Sequence, residues 1–244
     1  MAIFVVAHGA WSAGWAWRKM HRPMCAAGHA LWTPTMTGIG ERGHLAAKTV
    51  DLETHIADIE AVLEFEDLRD VVLVGHSYGG IVATAVADRA RDRVARLVYL
   101  DAFVPEDGQS LLDLVPQATR EAMRAAARDE GDGWLVPPNP IPDDTADADA
   151  EWIRDRRMPQ PLATFEAPLR MTRRAIVQPR SYIYCTRAGP GDPFRRFAEH
   201  ARASPDWTCH DLDASHSPHV TAPDRLREVL IRTLGDRGRG PFAR

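Results

Sequence analysis

The sequence predicts an α/β fold: a mostly parallel sheet of about six strands, helices on both faces, and an inserted helical cap. Three observations carry this. Short continuous apolar runs rich in β-branched residues recur along the chain. Helical patterns separate several of them, and the alternation breaks off between about Val104 and Pro179. At 244 residues the chain suits one domain with a substantial core.

The run Ile3–Ala7 stops at His8-Gly9 and reads as a central strand buried on both faces. Further strands are expected at 30–33, 71–74, 97–100, 182–185 and 208–212, and helices at 15–26, 52–65, 80–90, 194–203 and 223–234. In the helix 52–65, Ile56, Ile59, Val62, Leu63 and Phe65 are read as one apolar face against Asp58, Glu60 and Glu64. These elements make a core of 1–103 and 180–235. The segment 104–179 does not read as sheet: it holds more than half of the 18 prolines, the acidic stretch 143–151 and helical patches such as 111–128. It is too long for a plain loop. Trp134, Trp152, Leu162, Phe165 and Met171 are more than a disordered insertion usually carries, so a cap over the carboxyl edge of the sheet is expected. Residues 236–244 read as a frayed tail.

The chemistry concentrates at Gly75-His76-Ser77-Tyr78-Gly79, which follows Val71-Val-Leu-Val and opens a helix. A G-x-S-x-G pattern between strand and helix places its serine in a strained turn with the hydroxyl exposed, so Ser77 is the candidate nucleophile. A serine hydroxyl needs a base, and among the 10 histidines His216 is favoured, with His219 the competitor. His216 follows the last strand and precedes the last helix, where this order of motifs places the base. His8 and His76 flank the site but precede the nucleophile, so packing or hydrogen-bonding roles are assigned to them. An oxyanion needs two N–H donors; Tyr78, after the nucleophile, and Ala10, after the first strand, are expected to supply them.

These residues resemble the plant methylesterase and hydroxynitrile lyase family of the α/β-hydrolase fold, together with its bacterial esterase relatives. The resemblance lies in the opening stretch His8 to Trp17, in the elbow Gly75 to Gly80 and in the base loop His216 to Pro223. It implies cofactor-free cleavage of small or hydrophobic esters beneath a mainly helical cap. The lyases of that family resemble one another in a Thr after the first-motif His and a Lys after the catalytic His, where this chain has Gly9 and Ser217. Ester hydrolysis is therefore preferred over cyanide release. The resemblance places the acid of the triad at Ala188, which cannot orient an imidazole. Asp101, ending the strand after the nucleophile helix, is favoured as its replacement, and Asp192, in a Gly-Pro-rich loop, is the alternative.

The expectation is thus a serine-dependent carboxylic ester hydrolase working through an acyl-enzyme, with a pocket including Gly9, Trp11, Phe103 and Trp134. A carbon–carbon lyase and a non-enzymatic small-molecule receptor on the same fold are the competing classes. No metal or cofactor is expected. A net charge of -4 and the lack of a basic, aromatic-interleaved stripe argue against a nucleic-acid partner. The cations are nearly all Arg, with Lys19 and Lys48 the exceptions. No membrane span or signal peptide is visible, and a cytoplasmic location is expected. Cys25, Cys185 and Cys209 match no disulfide framework or metal spacing and are read as reduced core residues. The partner expected is a small-molecule ester, and a homodimer is compatible with these features.

Overall fold

The computed structural model describes residues 1–143, 145–173, 176–189 and 191–236. Strands β1 (Ile3–Ala7), β2 (Ala30–Trp32), β3 (Val71–His76) and β4 (Val94–Leu100) precede the insertion. Strands β7 (Arg180–Cys185) and β8 (Trp207–Leu212) follow it. All six join one sheet in the order β2-β1-β3-β4-β7-β8, and every pairing is parallel. In the inner strands β1, β3, β4 and β7 alternate residues feed two separate cores, which is why those runs carry no polar face. Phe4, Val6, Val72, Val74, Val98 and Ile183 pack with Trp17, Met20, Leu226 and Leu230 on one side. Val5, Leu73, Leu97 and Tyr99 pack with Ile56, Ile59, Ile81 and Phe165 on the other.

Helices α1 (Arg18–Ala26) and α9 (Pro223–Thr233) cover the first face, and α2 (Leu52–Phe65) and α3 (Gly79–Arg89) the second. Asp51 caps α2: its carboxylate accepts the Thr54 N–H at 3.0 Å. One residue of the expected apolar face of α2 is wrong. Phe65 is 85% exposed while Ile56, Ile59 and Leu63 are buried. At about 100° per residue Phe65 stands roughly half a turn away from Ile56, so it does not belong to that face.

The insertion contributes α4 (Gln117–Glu130), β5 (Leu135–Val136), α5 (Asp147–Arg154), β6 (Gln160–Pro161) and α6 (Ala163–Glu166). The expected patch 111–128 is divided: Leu111–Asp113 forms a 3-10 turn, and Pro116, which cannot continue a helix from behind, sits at the N-cap of α4. β5 and β6 pair antiparallel, so a short ribbon stands where no sheet was expected. Two-residue strands carry too little alternation to be read from a sequence. Beyond the insertion, α7 (Arg195–Ala203) joins β7 to β8, and the short α8 (Pro218–Thr221) precedes α9. Asp236, expected in the tail, is tied to the sheet, where its carboxylate accepts from Ser181 Oγ at 2.7 Å and pairs with His210 Nε2 at 2.8 Å. The rest of the expected tail, 237–244, lies outside the described residues. Among the described residues no helix is long and apolar enough to cross a membrane.

Candidate active site

Sheet register assembles the site. Ala7 pairs with Gly75, so the loop after β1 and the turn after β3 leave the sheet side by side where the strand order reverses. His76 pairs with Leu100, and Leu100 with Ile183, which brings the end of β4 against that same turn. Ser77 sits in that turn with φ +55°, a conformation costly for a side-chain-bearing residue. Its own backbone holds it there: the Ser77 N–H donates to Leu100 O at 3.3 Å, and Ser77 O accepts from Phe103 N–H at 3.2 Å and Gly80 N–H at 3.1 Å. Glycine is required beside it, since a Cβ on Gly79 would lie 2.0 Å from Ala7 O.

His216, in the loop between β8 and α8, presents Nδ1 to Asp101 Oδ2 at 2.7 Å. That contact leaves Nε2 as the nitrogen able to exchange a proton. Asp101 stands immediately after β4 at φ +42° and is 2% exposed. Its second oxygen, Oδ1, accepts the Cys185 N–H at 3.1 Å. Burial pushes the Asp101 carboxyl up, against the downward pull of its bond to His216. Tyr182 clamps the next residue, its hydroxyl accepting the Ala102 N–H at 3.1 Å and donating to Ala102 O at 2.9 Å.

Asp192 is elsewhere engaged. Its Oδ2 accepts from Tyr184 Oη at 2.7 Å and its Oδ1 from the Phe194 N–H at 2.8 Å. Phe194 in turn stacks on the His216 ring, centroids 4.8 Å apart and planes 8° from parallel. No sequence pattern singles out Phe194, because a lone aromatic after Gly-Asp-Pro has no period to betray its partner.

The other histidines are wall and scaffold. His76 Nε2–H donates to His216 O at 2.8 Å and so braces the loop that carries His216. His219, the competing base, stacks on Trp17 at 4.6 Å, and burial draws its pKa down to about 3. His8 Nδ1–H donates to Gly9 O at 2.9 Å while Nε2 accepts the Met36 N–H at 3.1 Å, a neutral tautomer that burial holds near a pKa of about 4. His55 does the same for the elbow. Its Nε2–H donates to Thr37 O and its Nδ1 accepts the Tyr78 hydroxyl, both at 2.9 Å, which fixes the residue after Ser77.

A cavity of about 790 Å³ opens on these groups. Of the residues singled out in the sequence, Ser77, His216, Gly9, Ala10, Trp11, Tyr78 and Phe103 line it. Among the described residues no acceptor takes the N–H of Ala10 or of Tyr78. Trp134 does not line the cavity. It sits in the turn leading into β5, its carbonyl accepting the Leu162 N–H at 2.7 Å. Trp11 and Phe165 provide the aromatic wall instead, ring centroids 5.6 Å apart. Arg157 also lines the cavity, and in a chain so rich in arginine nothing in the sequence marks it.

The sequence profile of the Alpha/beta hydrolase family matches residues 4–229. A carbendazim hydrolyzing esterase from Nocardioides is 42% identical over 242 residues, 94% of this chain and 98% of that protein. An alpha-hydroxynitrile lyase from Arabidopsis thaliana is 34% identical over 105 residues, 42% of this chain and 40% of that protein. Among solved structures, an extracellular alpha/beta-hydrolase from a Paenibacillus species superposes with a TM-score of 0.83 at 23% identity, covering 95% of this chain and 98% of that one. An Arabidopsis methylesterase does so at 0.77 with 22% identity, covering 96% and 99%.

Proposed function

The chain belongs to the Alpha/beta hydrolase family, and from that premise we propose that it is a serine carboxylic ester hydrolase in which Ser77, His216 and Asp101 form the triad. The observation that carries this is the 2.7 Å contact between His216 and the buried Asp101, behind a cavity that His216 shares with Ser77 in its left-handed turn. Ser77 Oγ attacks the ester carbonyl as His216 Nε2 takes its proton. Asp101 holds Nδ1–H and balances the imidazolium that forms. The N–H groups of Ala10 and Tyr78 receive the oxyanion, and a desolvated site makes such donors worth more than in water. The alcohol leaves with the proton from His216, and water, activated in the same way, releases the acid.

The aromatic and aliphatic lining favours small to medium esters with an apolar body, under the 104–179 segment acting as a cap. Carbendazim, the compound in the name of the 42% identical relative, belongs on the substrate panel. A lyase reading gains nothing here. A Cβ at Gly9 would lie 2.9 Å from His76 Nδ1 and 3.2 Å from Ser77 Cβ, so a threonine at that position would have to displace both.

A fluorophosphonate probe with intact-mass and peptide analysis tests the reading. One adduct on Ser77 is expected, with Ser77→Ala losing more than roughly 1000-fold in ester turnover while keeping its melting temperature. An adduct elsewhere, or near-native turnover by Ser77→Ala, refutes it.

A further inference from the structure

Most charged groups lining the cavity are matched by a partner. Asp101 pairs with His216, Asp192 with Tyr184 and the Phe194 N–H, and Arg187 with Asp213 at 2.7 Å. Asp143 at the rim is exposed. Arg157 stands apart. It is half-buried, and among the described residues no carboxylate approaches within 4.0 Å of it. Its guanidinium lies over the Trp11 ring, 5.7 Å from the centroid. Two of its N–H groups donate to the backbone and side-chain oxygens of Asn139, and among the described residues the other three of its five donors meet no protein acceptor. Burial without a counter-charge draws its pKa down to about 10.

The position is built. Trp11, which carries the guanidinium on its face, is itself fixed to the ribbon: its N–H donates to Gln160 Oε1 at 3.0 Å and its Nε1–H to Val136 O at 2.9 Å. Gln160 is fully buried and anchored through Nε2 to Thr164 Oγ1 at 2.8 Å. Trp11 also follows Ala10, the proposed oxyanion donor. A half-buried cation lying over an aromatic face, with donors that its protein partners do not take, gains most from a planar anion that can accept two of its N–H groups together. We propose that Arg157 is the specificity-determining residue of this cavity and that the preferred esters carry a carboxylate at the end remote from the scissile bond. Arg157, Ala10 and Tyr78 line the same cavity, so the spacing between the two ends of the substrate matters as much as the charge. This inference rests on the esterase reading above.

The test compares monomethyl esters of straight-chain dicarboxylic acids with methyl esters of monocarboxylic acids of equal length, using the full chain and its Arg157→Met, Arg157→Gln and Arg157→Lys variants. For the native protein, kcat/KM is expected to favour the half-esters by roughly tenfold or more at one chain length. In Arg157→Met and Arg157→Gln that ratio falls toward one, chiefly through KM of the half-ester, and Arg157→Lys retains part of it. A native ratio near one at every length, or a ratio unchanged in a folded Arg157→Met or Arg157→Gln, overturns the proposal. If the native protein cleaves neither series and also leaves p-nitrophenyl butyrate intact, the esterase reading fails. Calorimetric titration of the half-esters into native and Arg157→Gln protein then decides the Arg157 assignment: weaker binding by the variant supports it, and equal or absent binding overturns it.

Discussion

Asp101→Asn removes one charge from the site and almost no volume, so its effect can be worked out from the contacts Asp101 makes. Two donors point at this side chain: His216 Nδ1–H at 2.7 Å and the Cys185 N–H at 3.1 Å. An asparagine has one oxygen to offer. If it serves Cys185, the amide NH2 faces His216 and demands a proton-free Nδ1, which puts the proton on Nε2 and disables the base. If it serves His216, the NH2 confronts the Cys185 N–H in a site that is 2% exposed. The resting side chain takes the first orientation; to catalyse, it must lose a charge-assisted bond, about 2 kcal/mol, and turn to the second, where a buried donor faces a donor, about 1–3 kcal/mol more. A total of about 3–5 kcal/mol corresponds to a loss of roughly a hundred- to several-thousand-fold in kcat, at about 1.4 kcal/mol per decade. Burying a carboxylate is itself unfavourable, so stability should change little, with the melting temperature staying within about 5 °C. The assay is steady-state turnover of p-nitrophenyl butyrate alongside thermal unfolding. Turnover within threefold of the native protein in a folded Asp101→Asn would refute the triad assignment.

Asp192→Asn is expected to cost less than about tenfold in kcat, because Asp192 reaches His216 only through the Phe194 N–H. Phe194→Leu, which removes the stack worth about 0.5–1.5 kcal/mol, should lower kcat by roughly two- to twelvefold. A hundredfold loss in Asp192→Asn would return that residue to the triad. Mandelonitrile should release no cyanide above background, and saturable release abolished by Ser77→Ala would restore the lyase reading. Acid should destabilise the fold through its buried neutral histidines. His8 and His55 fall from 6.5 to about 4 in the folded chain, so between those values the unfolded state binds the extra protons. Their stabilisation is full above about pH 6.5 and lost as pH falls toward 4, an effect of order 3 kcal/mol per histidine. Urea midpoints measured from pH 7.5 to 4.5 test this, and a flat profile would contradict it. Phe65→Gln, on an exposed site, should leave stability within about 0.5 kcal/mol by the same method, whereas a large loss would show that Phe65 is packed after all.

The six strands and the elbow are legible in the amino-acid sequence because each is local. The four inner strands, buried on both faces, must be apolar at nearly consecutive positions, the edge strands β2 and β8 are short runs between turn residues, and a serine turn between strand and helix needs glycine at its crowded points. His216 is legible for a related reason: its place after the last strand is a matter of chain order. The exposure of Phe65 is of the same local kind, since the helical angle alone sets it half a turn from Ile56 and outside the apolar face of α2. The acid is a different matter. Asp101 and Asp192 both follow strands in suitable loops, and only the pairing of Leu100 with Ile183, with Asp101 left beside Cys185 and His216, separates the carboxylate that holds His216 from the one that holds Phe194. The cavity wall is decided at the same level, with Trp134 out and Arg157 in. A periodic pattern records which face of an element is buried, but it carries no information about which distant side chain will lie opposite. That depends on how strand order and register bring separate loops together.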